Sequence, residues 1–530
     1  MKLHLTLAAL TALLLFVSLR YSPGHAFSFA QVERLAAKQA EEKFVPLRDA
    51  LPPQLRNLTP QQENGIFWKD SYRLWRDKGL PFQVDFYHLS RQFPSGPRIN
   101  TVDRHGAHPL AYSPAFFNFL NLDLRPPLPA NLPFAGFYLR YPINKADSLD
   151  GFFSVLGSSY FRALAKEQVY GLTARGLAID TALDGKAEEY PSFTEWWLRR
   201  PASNATDQTL YALLDSPSVS GAYEFRIRPG ASTSVDVHAV LYFRKAVERI
   251  GLAPFSSMYL YGENSGDHFG DTIHPEVHDS DGVLVHSGNG DWIWRPLQAT
   301  PFLQQYDFAE TDPKGFGLLQ RDRDFQHYQD LDTKYNVRPS AWVTPHGNWG
   351  KGSIALVQLP TNNTDTDNVV LSWRPERVPA KGDRLEFNYT VDFYMNDAER
   401  PSLAYAMATH FNSPAPPPPN AAPPRTPESP KPATLPSPSN GTVPVQFLVD
   451  FKGNGIEDIP PDSPPSIDCD ASPSGTLITN GKVDKNGYDG SWRISFTVTP
   501  LRHNVPTELR CRLLRDGKPL TETWTYTWHQ

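Results

Sequence analysis

The chain has 530 residues, of which 40% are hydrophobic and 12% aromatic, and its formal net charge is -6 at pH 7. This length allows a large hydrophobic core and predicts more than one domain. Because the charge balance is negative, the chain lacks the basic surface that a phosphate backbone requires, which argues against a nucleic-acid partner. An uncharged or mildly anionic substrate fits the composition better.

The first 26 residues have the features of a cleavable signal peptide. Lys2 precedes an apolar run from about Leu5 to Leu19, and Gly24-His25-Ala26 supplies small residues where a signal peptidase reads them. An uncleaved membrane anchor is the alternative, but the run is shorter than the roughly 20 residues of a spanning helix and ends at Arg20. We therefore predict export, with cleavage after Ala26.

Helical patterns are few and lie in the first half of the chain. Residues 29–43 carry helix formers at the helical period, residues 148–166 are a candidate second helix, and residues 192–199 are a candidate short helix. Strand patterns are more frequent, with apolar and polar residues alternating between dense turn signals. The clearest alternating segments are residues 82–87, 223–227, 385–393 and 494–498. The chain is therefore predicted to be mainly β.

Residues 274–296 combine acidic side chains, small turn residues and tryptophan with little aliphatic content, and a second acidic turn follows at residues 363–368. Flat aromatic faces can cover the apolar side of a pyranose, while carboxylates bind its hydroxyls or move its protons. The segments predict a saccharide ligand in one long cleft, although any single tryptophan is as often a core residue. The tryptophans in and between these segments are Trp292, Trp294, Trp342 and Trp349, with Trp373 just beyond.

A metal site is a weaker interpretation of the same region. His274 and His278 have the i, i+4 spacing of helical zinc sites, with His286 nearby, but a proline and an Asp-Ser-Asp-Gly turn argue against a helix there. Calcium binding lacks the usual Asp-x-Asp-x-Asp-Gly loop. Its candidate ligands are Asp279, Asp281 and Asp291. We predict neither a metal nor another cofactor.

Residues 413–440 are dominated by proline and predict an extended spacer between an N-terminal region, residues 27–412, and a C-terminal region, residues 441–530. A peptide ligand for an aromatic-grooved domain is the alternative. In the C-terminal region, the hairpin turn Asp516-Gly517 joins two β-type segments, which fits an immunoglobulin-like sandwich.

The chain has two cysteines, Cys469 and Cys511, and both lie in β-type stretches of the C-terminal region. Export favours a disulfide between them, and two buried free thiols are the alternative. Two cysteines also exclude a zinc site built from cysteine.

Several stretches resemble the periplasmic glucan biosynthesis proteins of the OpgG/OpgD (MdoG/MdoD) type, and the resemblance extends from residue 27 to residue 524. They include residues 168–182, residues 211–218 with the Gly-Ala-Tyr that follows, His278-Asp-Ser-Asp-Gly and Arg338-Pro-Ser-Ala-Trp-Val-Thr-Pro. The resemblance implies a large galactose-mutarotase-like β-sandwich with a long cleft, followed by a small immunoglobulin-like β-sandwich. It also implies a periplasmic location and a β-1,2-linked glucan as ligand.

The resemblance further implies roles for individual residues. Asp367 matches the aspartate of a Pro-Thr-x-x-Glu-x-x-Asp-Asn turn that acts as general acid, and Asp279 matches the carboxylate on the base side. Tyr335 precedes the Arg-Pro-Ser motif and is expected to bind sugar or support the proton path. Thr364 stands where the family has glutamate, which affects the expected rate or the balance between hydrolysis and transfer. The expected substrate-binding residues are Trp292, Trp294, Arg338, Trp342 and Trp349.

Two carboxylates also follow from the chemistry of acetal cleavage. An inverting enzyme needs one acid for the leaving oxygen and a second carboxylate that activates water, roughly 6.5–9.5 Å apart. Without the resemblance, Asp279 and Asp367 would more simply be turn-capping residues.

Two functions therefore remain open at this point. One is a glycoside hydrolase or transglycosylase acting on β-1,2-glucan, and the other is a non-catalytic glucan-binding factor that assists a membrane glucan synthase. The oligomeric state is open as well, with a homodimer as one option.

Overall fold

The computed structural model describes residues 27–120, 122–265, 273–395, 402–412, 443–502 and 505–529. The predicted signal peptide and the predicted proline-rich spacer lie outside these ranges. Among the described residues, none of the helices has the length and apolar content needed to cross a bilayer.

Within the described residues, two large sheets account for most strands, and the first has ten. All neighbouring strands of this sheet whose pairing is given are antiparallel. Ala178–Ile179 pairs with Ile250–Ser257 beside the main path. In hydrogen-bonding order the strands are Gln83–Tyr87, Gly136–Tyr141, Asp150–Leu156, Tyr160–Ala163, Thr173–Arg175, Ile250–Ser257, Val369–Pro375, Lys351–Gln358 and Gln304–Thr311.

The second large sheet has fifteen strands in the described ranges and continues from the N-terminal region into the C-terminal region. Its crossing point is the parallel pairing of Trp292–Pro296 with Thr523–Trp528. Lys518–Pro519 pairs with Thr507–Arg515 beside the main path. In order the strands are Ser466–Ser472, Thr507–Arg515, Thr523–Trp528, Trp292–Pro296, Gly282–His286, Gly315–Leu319, Ser340–His346, Arg384–Tyr394, Ser232–Phe243, Val219–Arg228, Gln208–Asp215, Ser192–Arg199, Arg98–Asp103 and Gly106–Pro109.

The two large sheets pack face to face and enclose the main core. The ring of Phe161 on the first sheet lies 5.4 Å from that of Phe225 on the second, and Phe137 lies 5.2 Å from Trp196. Fully burying one such side chain stabilises the fold by about 1.5–3 kcal/mol. The predicted mainly β fold is confirmed as a β-sandwich.

The face of the ten-stranded sheet opposite this core, here called the outer face, carries polar side chains. Phe161 and Ala174 belong to the core, so strand alternation sends their neighbours Tyr160, Arg162 and Arg175 to the outer face.

The described residues contain three α-helices, Phe29–Glu41, Pro60–Asn64 and Phe325–Tyr328. The first confirms the helix predicted for residues 29–43, and its side chains Val32 and Ala36 are buried in a small cluster with Trp197. Its start is stabilised because the Gln31 side chain accepts a hydrogen bond from the Ser28 amide at 2.7 Å.

The other two predicted helices are wrong. Residues 148–166 form the hairpin of Asp150–Leu156 and Tyr160–Ala163, in which Gly157 adopts a positive φ of 72° at the turn. Residues 192–199 form a strand in the fifteen-stranded sheet. Trp196 faces the main core and Trp197 faces the first helix, so both faces of this strand are buried and the simple alternation of a half-buried strand is lost.

The C-terminal region adds a four-stranded sheet within the described residues. The strand Tyr405–Asn412, which precedes the spacer in sequence, pairs with Val445–Lys452 of this sheet. The other two strands are Trp492–Thr499 and Leu477–Lys485. Cys469 and Cys511 are directly opposite each other on paired strands and form a disulfide, which confirms the predicted pairing. The turn at Asp516-Gly517 joins paired strands as expected.

Small two-stranded ladders complete the fold. Phe67–Trp68 pairs with Phe117–Asn118, and Tyr259–Tyr261 pairs with Val277–His278. The second ladder matters for function because it leads directly into Asp279.

Candidate active site

Asp279 lies in the turn between the strands Val277–His278 and Gly282–His286. Its backbone amide donates to the carbonyl of Met258 at 2.8 Å, which fixes the turn against the neighbouring strand. The residue is 5% exposed, and its carboxylate accepts a hydrogen bond from the guanidinium of Arg338. Asp279 is therefore a buried carboxylate paired with an arginine, which is more than a turn-capping residue requires.

Asp367 immediately precedes the strand Val369–Pro375, and its neighbour Asn368 fixes its position. The Asn368 side chain accepts from the amide of Tyr259 at 2.8 Å and donates to the carbonyl of Tyr259 at 2.9 Å. Since Met258 holds the Asp279 turn, the same two-residue segment anchors both acidic turns. Two carboxylates that are remote in sequence are thereby brought to one place.

Asp367 is half-buried in an electropositive surrounding. Burial raises the pKa of its carboxyl above the ordinary value, while the positive charges of Arg162, Arg175 and Arg338 act in the opposite direction. Because burial prevails, Asp367 retains its proton to higher pH than an exposed aspartate, as a general acid must.

Arg338 connects the two acids. It donates a hydrogen bond to the carboxylate of Asp279. Burial lowers the pKa of the Arg338 guanidinium to about 10, although the negative charge of Asp367 acts in the opposite direction. Its Nε donates to the carbonyl of Thr333 at 3.2 Å. A Cβ added at Gly171 would lie 3.0 Å from the Cβ of Arg338, so a glycine there leaves room for the arginine stem.

Tyr335 supports Arg338. The guanidinium carbon lies 4.2 Å from the centroid of the Tyr335 ring, a cation–π contact, and Tyr335 is 3% exposed. Burial raises the pKa of the Tyr335 hydroxyl, so it stays protonated near neutral pH. Tyr335 is predicted from the sequence to bind sugar or support the proton path, and in the structure its ring packs against the guanidinium of Arg338.

The structure corrects the expectation for two tryptophans. Trp294 is 4% exposed and Trp342 is 1% exposed, and both pack in the cluster that joins the N- and C-terminal regions. Neither presents a ring face that could cover a sugar, so their predicted role as binding platforms is wrong. The physical reason is that the strand Thr523–Trp528 pairs beside Trp294 and closes this surface.

Trp292 and Trp349 are half-buried but lie away from the acidic turns. Trp292 pairs with His286 at the far end of the hairpin from Asp279 and stacks on it at 3.9 Å between ring centroids. Trp349 packs at the edge of the main core, 6.1 Å from the buried ring of Trp373.

Sequence reasoning missed the basic and aromatic side chains of the outer face. Arg162 donates to the hydroxyl of Thr173 at 2.7 Å, and Arg175 donates to Glu188 at 2.6 Å. The positive charges of both arginines act on the Asp367 carboxyl, and the charge of Asp367 acts on Tyr160. The sequence contains a pattern that indicates these side chains. Polar and apolar residues alternate in Tyr160-Phe-Arg162 and in Thr173-Ala-Arg175, which places the polar side chains of each segment on a single face of the sheet.

A buried polar network lies directly behind Asp279. His278 is fully buried, and its two ring nitrogens are within 2.8 Å of Glu276 and 3.0 Å of Gln320. Asp281 accepts from the backbone amides of Arg321 and Asp322. Possible metal-ligand atoms of Glu276, His278 and Asp281 lie within 4.8 Å of one another, but internal hydrogen bonds already engage the histidine nitrogens.

The ligand sets considered from the sequence are not assembled. The strands Gly282–His286 and Trp292–Pro296 form a hairpin. His286 and Asp291 lie at its turn, where Val285 pairs with Ile293 and His286 pairs with Trp292. His278 and Asp279 lie before the opposite end. Asp279 itself is paired with Arg338.

The fold and this site define a class of β-sandwich protein in which two acidic turns lie near a sheet face that carries arginine and tyrosine side chains. The chain matches the family model described as periplasmic glucan biosynthesis protein, MdoG, over residues 27–528, and it belongs to this family. The family description confirms the periplasmic location predicted from the N-terminus.

Individual relatives agree with this assignment. The chain is 38% identical over 504 residues to glucans biosynthesis protein G of Sodalis glossinidius, covering 95% of this chain and 93% of the relative. It is also 38% identical over 515 residues to glucans biosynthesis protein G of Pectobacterium atrosepticum, covering 96% and 95%. The protein of the same name from Dickeya dadantii is 38% identical over 505 residues, covering 94% and 93%.

Proposed function

We propose that this protein acts in the biosynthesis of periplasmic glucan by cleaving or transferring a β-1,2-linked glucan backbone with inversion. The names of its relatives and the description of its family support the glucan role. The observation that carries the catalytic part is Arg338, which hydrogen-bonds Asp279 and is within electrostatic reach of Asp367.

In this mechanism Asp367 is the general acid. It donates its proton to the glycosidic oxygen as the bond between that oxygen and the anomeric carbon breaks. A water molecule, or a sugar hydroxyl in the transfer reaction, forms the new bond to the anomeric carbon from the opposite side. Its proton passes to Asp279, directly or through a hydroxyl, so the proton count balances. The burial that raises the pKa of Asp367 supports this assignment.

Arg338 has a positioning role in the same scheme. Its guanidinium, supported by the Tyr335 ring, holds the Asp279 carboxylate in one orientation. Arg162, an exposed residue of the polar outer face, provides hydrogen-bonding groups for the glucan hydroxyls near Asp367.

A non-catalytic glucan-binding factor is the second candidate, and one observation favours it. The ion pair with Arg338 already satisfies the Asp279 carboxylate, which must be released before it can accept a proton from water. The exposed Thr364 in place of the family glutamate points in the same direction. Such a factor would hold the nascent chain for a membrane glucan synthase.

Incubation of the purified mature protein with linear β-1,2-glucan separates the two candidates. The enzyme proposal expects shortened or rearranged chains, with the rate reduced about 10²- to 10⁴-fold in Asp367→Asn and retained in Asp365→Asn, an exposed neighbour on the same loop. The binding-factor proposal expects unchanged glucan and measurable affinity in all three proteins. Equal activity of the parent and Asp367→Asn would overturn the role of Asp367.

A further inference from the structure

We propose that Tyr190, together with Tyr160 and Arg175, forms a subsite that binds a glucose unit of the glucan at a distance from the bond that is cleaved. This inference rests on the proposed function and extends it along the groove. The ligand of this subsite is a further glucose unit of the same β-linked glucan chain.

The three side chains form a preorganised group. The guanidinium carbon of Arg175 lies 5.3 Å from the ring centroid of Tyr160 and 5.5 Å from that of Tyr190. Arg175 is 3% exposed and its terminal nitrogen donates to Glu188 at 2.6 Å, so its orientation is fixed before any ligand binds. Binding therefore loses little side-chain entropy at this arginine.

The fold does not require the Tyr190 side chain to be exposed to solvent. It is 52% exposed, whereas Tyr160 is half-buried and most aromatic rings of this region belong to the core. An exposed aromatic ring held beside a charged pair combines an apolar face with hydrogen-bonding groups. A pyranose ring has the complementary surface, with C–H groups on its faces and hydroxyls at its edge.

Tyr160 and Tyr190 line a cavity of about 710 Å³, together with Glu188, the partner of Arg175. Its walls include Pro94, Gly157, Ser158, Tyr160, Glu188 and Tyr190. This volume falls in the range of about 300–1,000 Å³ that is usual for small-molecule sites. The cavity thus has room for a sugar unit beside Tyr190.

Tyr160 and Arg175, which are opposite each other on paired strands, relate this cavity to Asp367. Tyr160 lines the cavity, and its strand pairs with the strand that carries Arg175. The charge of Arg175 acts on Asp367, and that of Asp367 acts on Tyr160. We expect this arrangement of Tyr160 and Arg175 if one glucan chain extends from Asp367 to Tyr190.

Strand register gives the approximate separation. Thr173 is opposite Ser256, and Val369 is opposite Ser257, so Arg175 lies several residues along the sheet from Asp367. Continuing this register puts Arg175 about five residues from Asp367, which at about 3.3 Å per strand residue is roughly 16 Å. A unit at Tyr190 is therefore a neighbour farther along the chain from the unit at the acids.

The test measures binding without turnover, using Asp367→Asn as the parent protein. Its affinity is measured by calorimetry for linear β-1,2-gluco-oligosaccharides of increasing length, from the disaccharide upward. The variants are Tyr190→Ala, Tyr190→Phe and, as matched control, Tyr488→Ala, a fully exposed tyrosine of the C-terminal region.

We expect Tyr190→Ala to weaken binding of long oligosaccharides about fivefold to tenfold and to leave the affinity of the disaccharide unchanged. Tyr190→Phe should keep nearly full affinity because the ring face remains, and Tyr488→Ala should behave as the parent. Equal affinities of Tyr190→Ala and the parent at every length would overturn the subsite alone. A parent that binds no β-1,2-glucan of any length would overturn the proposed function and the subsite together.

Discussion

The guanidinium of Arg338 donates a hydrogen bond to the carboxylate of Asp279, although 59 residues separate them in sequence. The pair is mostly buried, with side-chain exposures of 15% for the arginine and 7% for the aspartate. A buried carboxylate with a charged partner has a defined orientation, which matters for a group that must face a substrate. The contact also makes Arg338 the residue through which the site can be tested without removing either acid.

Arg338→Lys should reduce kcat on β-1,2-glucan about 100-fold with a small change in melting temperature. Lysine keeps the positive charge but cannot reproduce the planar donor geometry or the contact with the Tyr335 ring, so Asp279 loses its orientation. Steady-state kinetics and thermal unfolding of the same samples provide the measurement. Arg377→Lys, at an arginine whose side chain is 83% exposed, is the control and should retain full activity. Unchanged kcat in Arg338→Lys would contradict a positioning role.

Thr364→Glu should shift the alkaline limb of the pH–rate profile upward by about half a unit to one unit. A carboxylate added to the loop of Asp367 disfavours ionisation of that acid, so its raised pKa should rise further. Asn362→Glu adds the same charge at another exposed position of the loop and should shift the profile less. The idea fails if both variants give the parental profile, or if the limb moves to lower pH.

The buried network behind Asp279 predicts a loss of stability in alkaline solution. Burial alone would lower the pKa of His278, but the negative charges of Asp281, Glu276 and Glu263 outweigh it and raise the pKa from 6.5 to about 9. The folded state therefore binds this proton more tightly than the unfolded chain. Its stabilising contribution is complete below about pH 6.5 and is lost as the pH rises through 9.

Chemical denaturation across this pH window measures the effect. The free energy of unfolding should fall by about 1 to 3 kcal/mol between the two ends of the window, and the fall should be smaller in His278→Gln. His108→Gln, at a histidine whose side chain is 52% exposed, should retain the parental dependence. A parental slope in His278→Gln would show that other groups cause it.

The junction of the two regions contains a buried ion pair that should dominate its stability. Arg321 donates to both carboxylate oxygens of Glu522, at 2.6 and 2.9 Å, and the Arg321 amide also holds Asp281 beside the active-site turn. Glu522→Gln leaves a buried charge without its partner, so we expect a loss of about 3–5 kcal/mol in unfolding free energy.

The matched control for this change is Glu386→Gln, at an ion pair whose side chains are 44% and 41% exposed, with an expected loss below about 1 kcal/mol. Equal effects of the two substitutions, measured by denaturant titration, would contradict the importance of the buried pair.

Much of the fold could be predicted from local patterns. Alternation along residues 223–227 and 385–393 predicted strands because one face of each packs on the core and the other does not. The same reasoning failed for residues 192–199, where Trp196 and Trp197 are buried on opposite faces by a sheet and a helix that come from other parts of the chain. Periodicity cannot identify a strand whose two faces are both apolar.

The sequence by itself determined the family, the periplasmic location and the two acidic turns with Asp279 and Asp367, because these features are carried by short contiguous motifs. The tertiary structure decided which side chains accompany those acids. It buried Trp294 and Trp342 beneath the C-terminal strand and brought Arg162 and Arg175 toward Asp367. Burial and electrostatic environment depend on contacts between residues that are remote in sequence, and no local pattern contains that information.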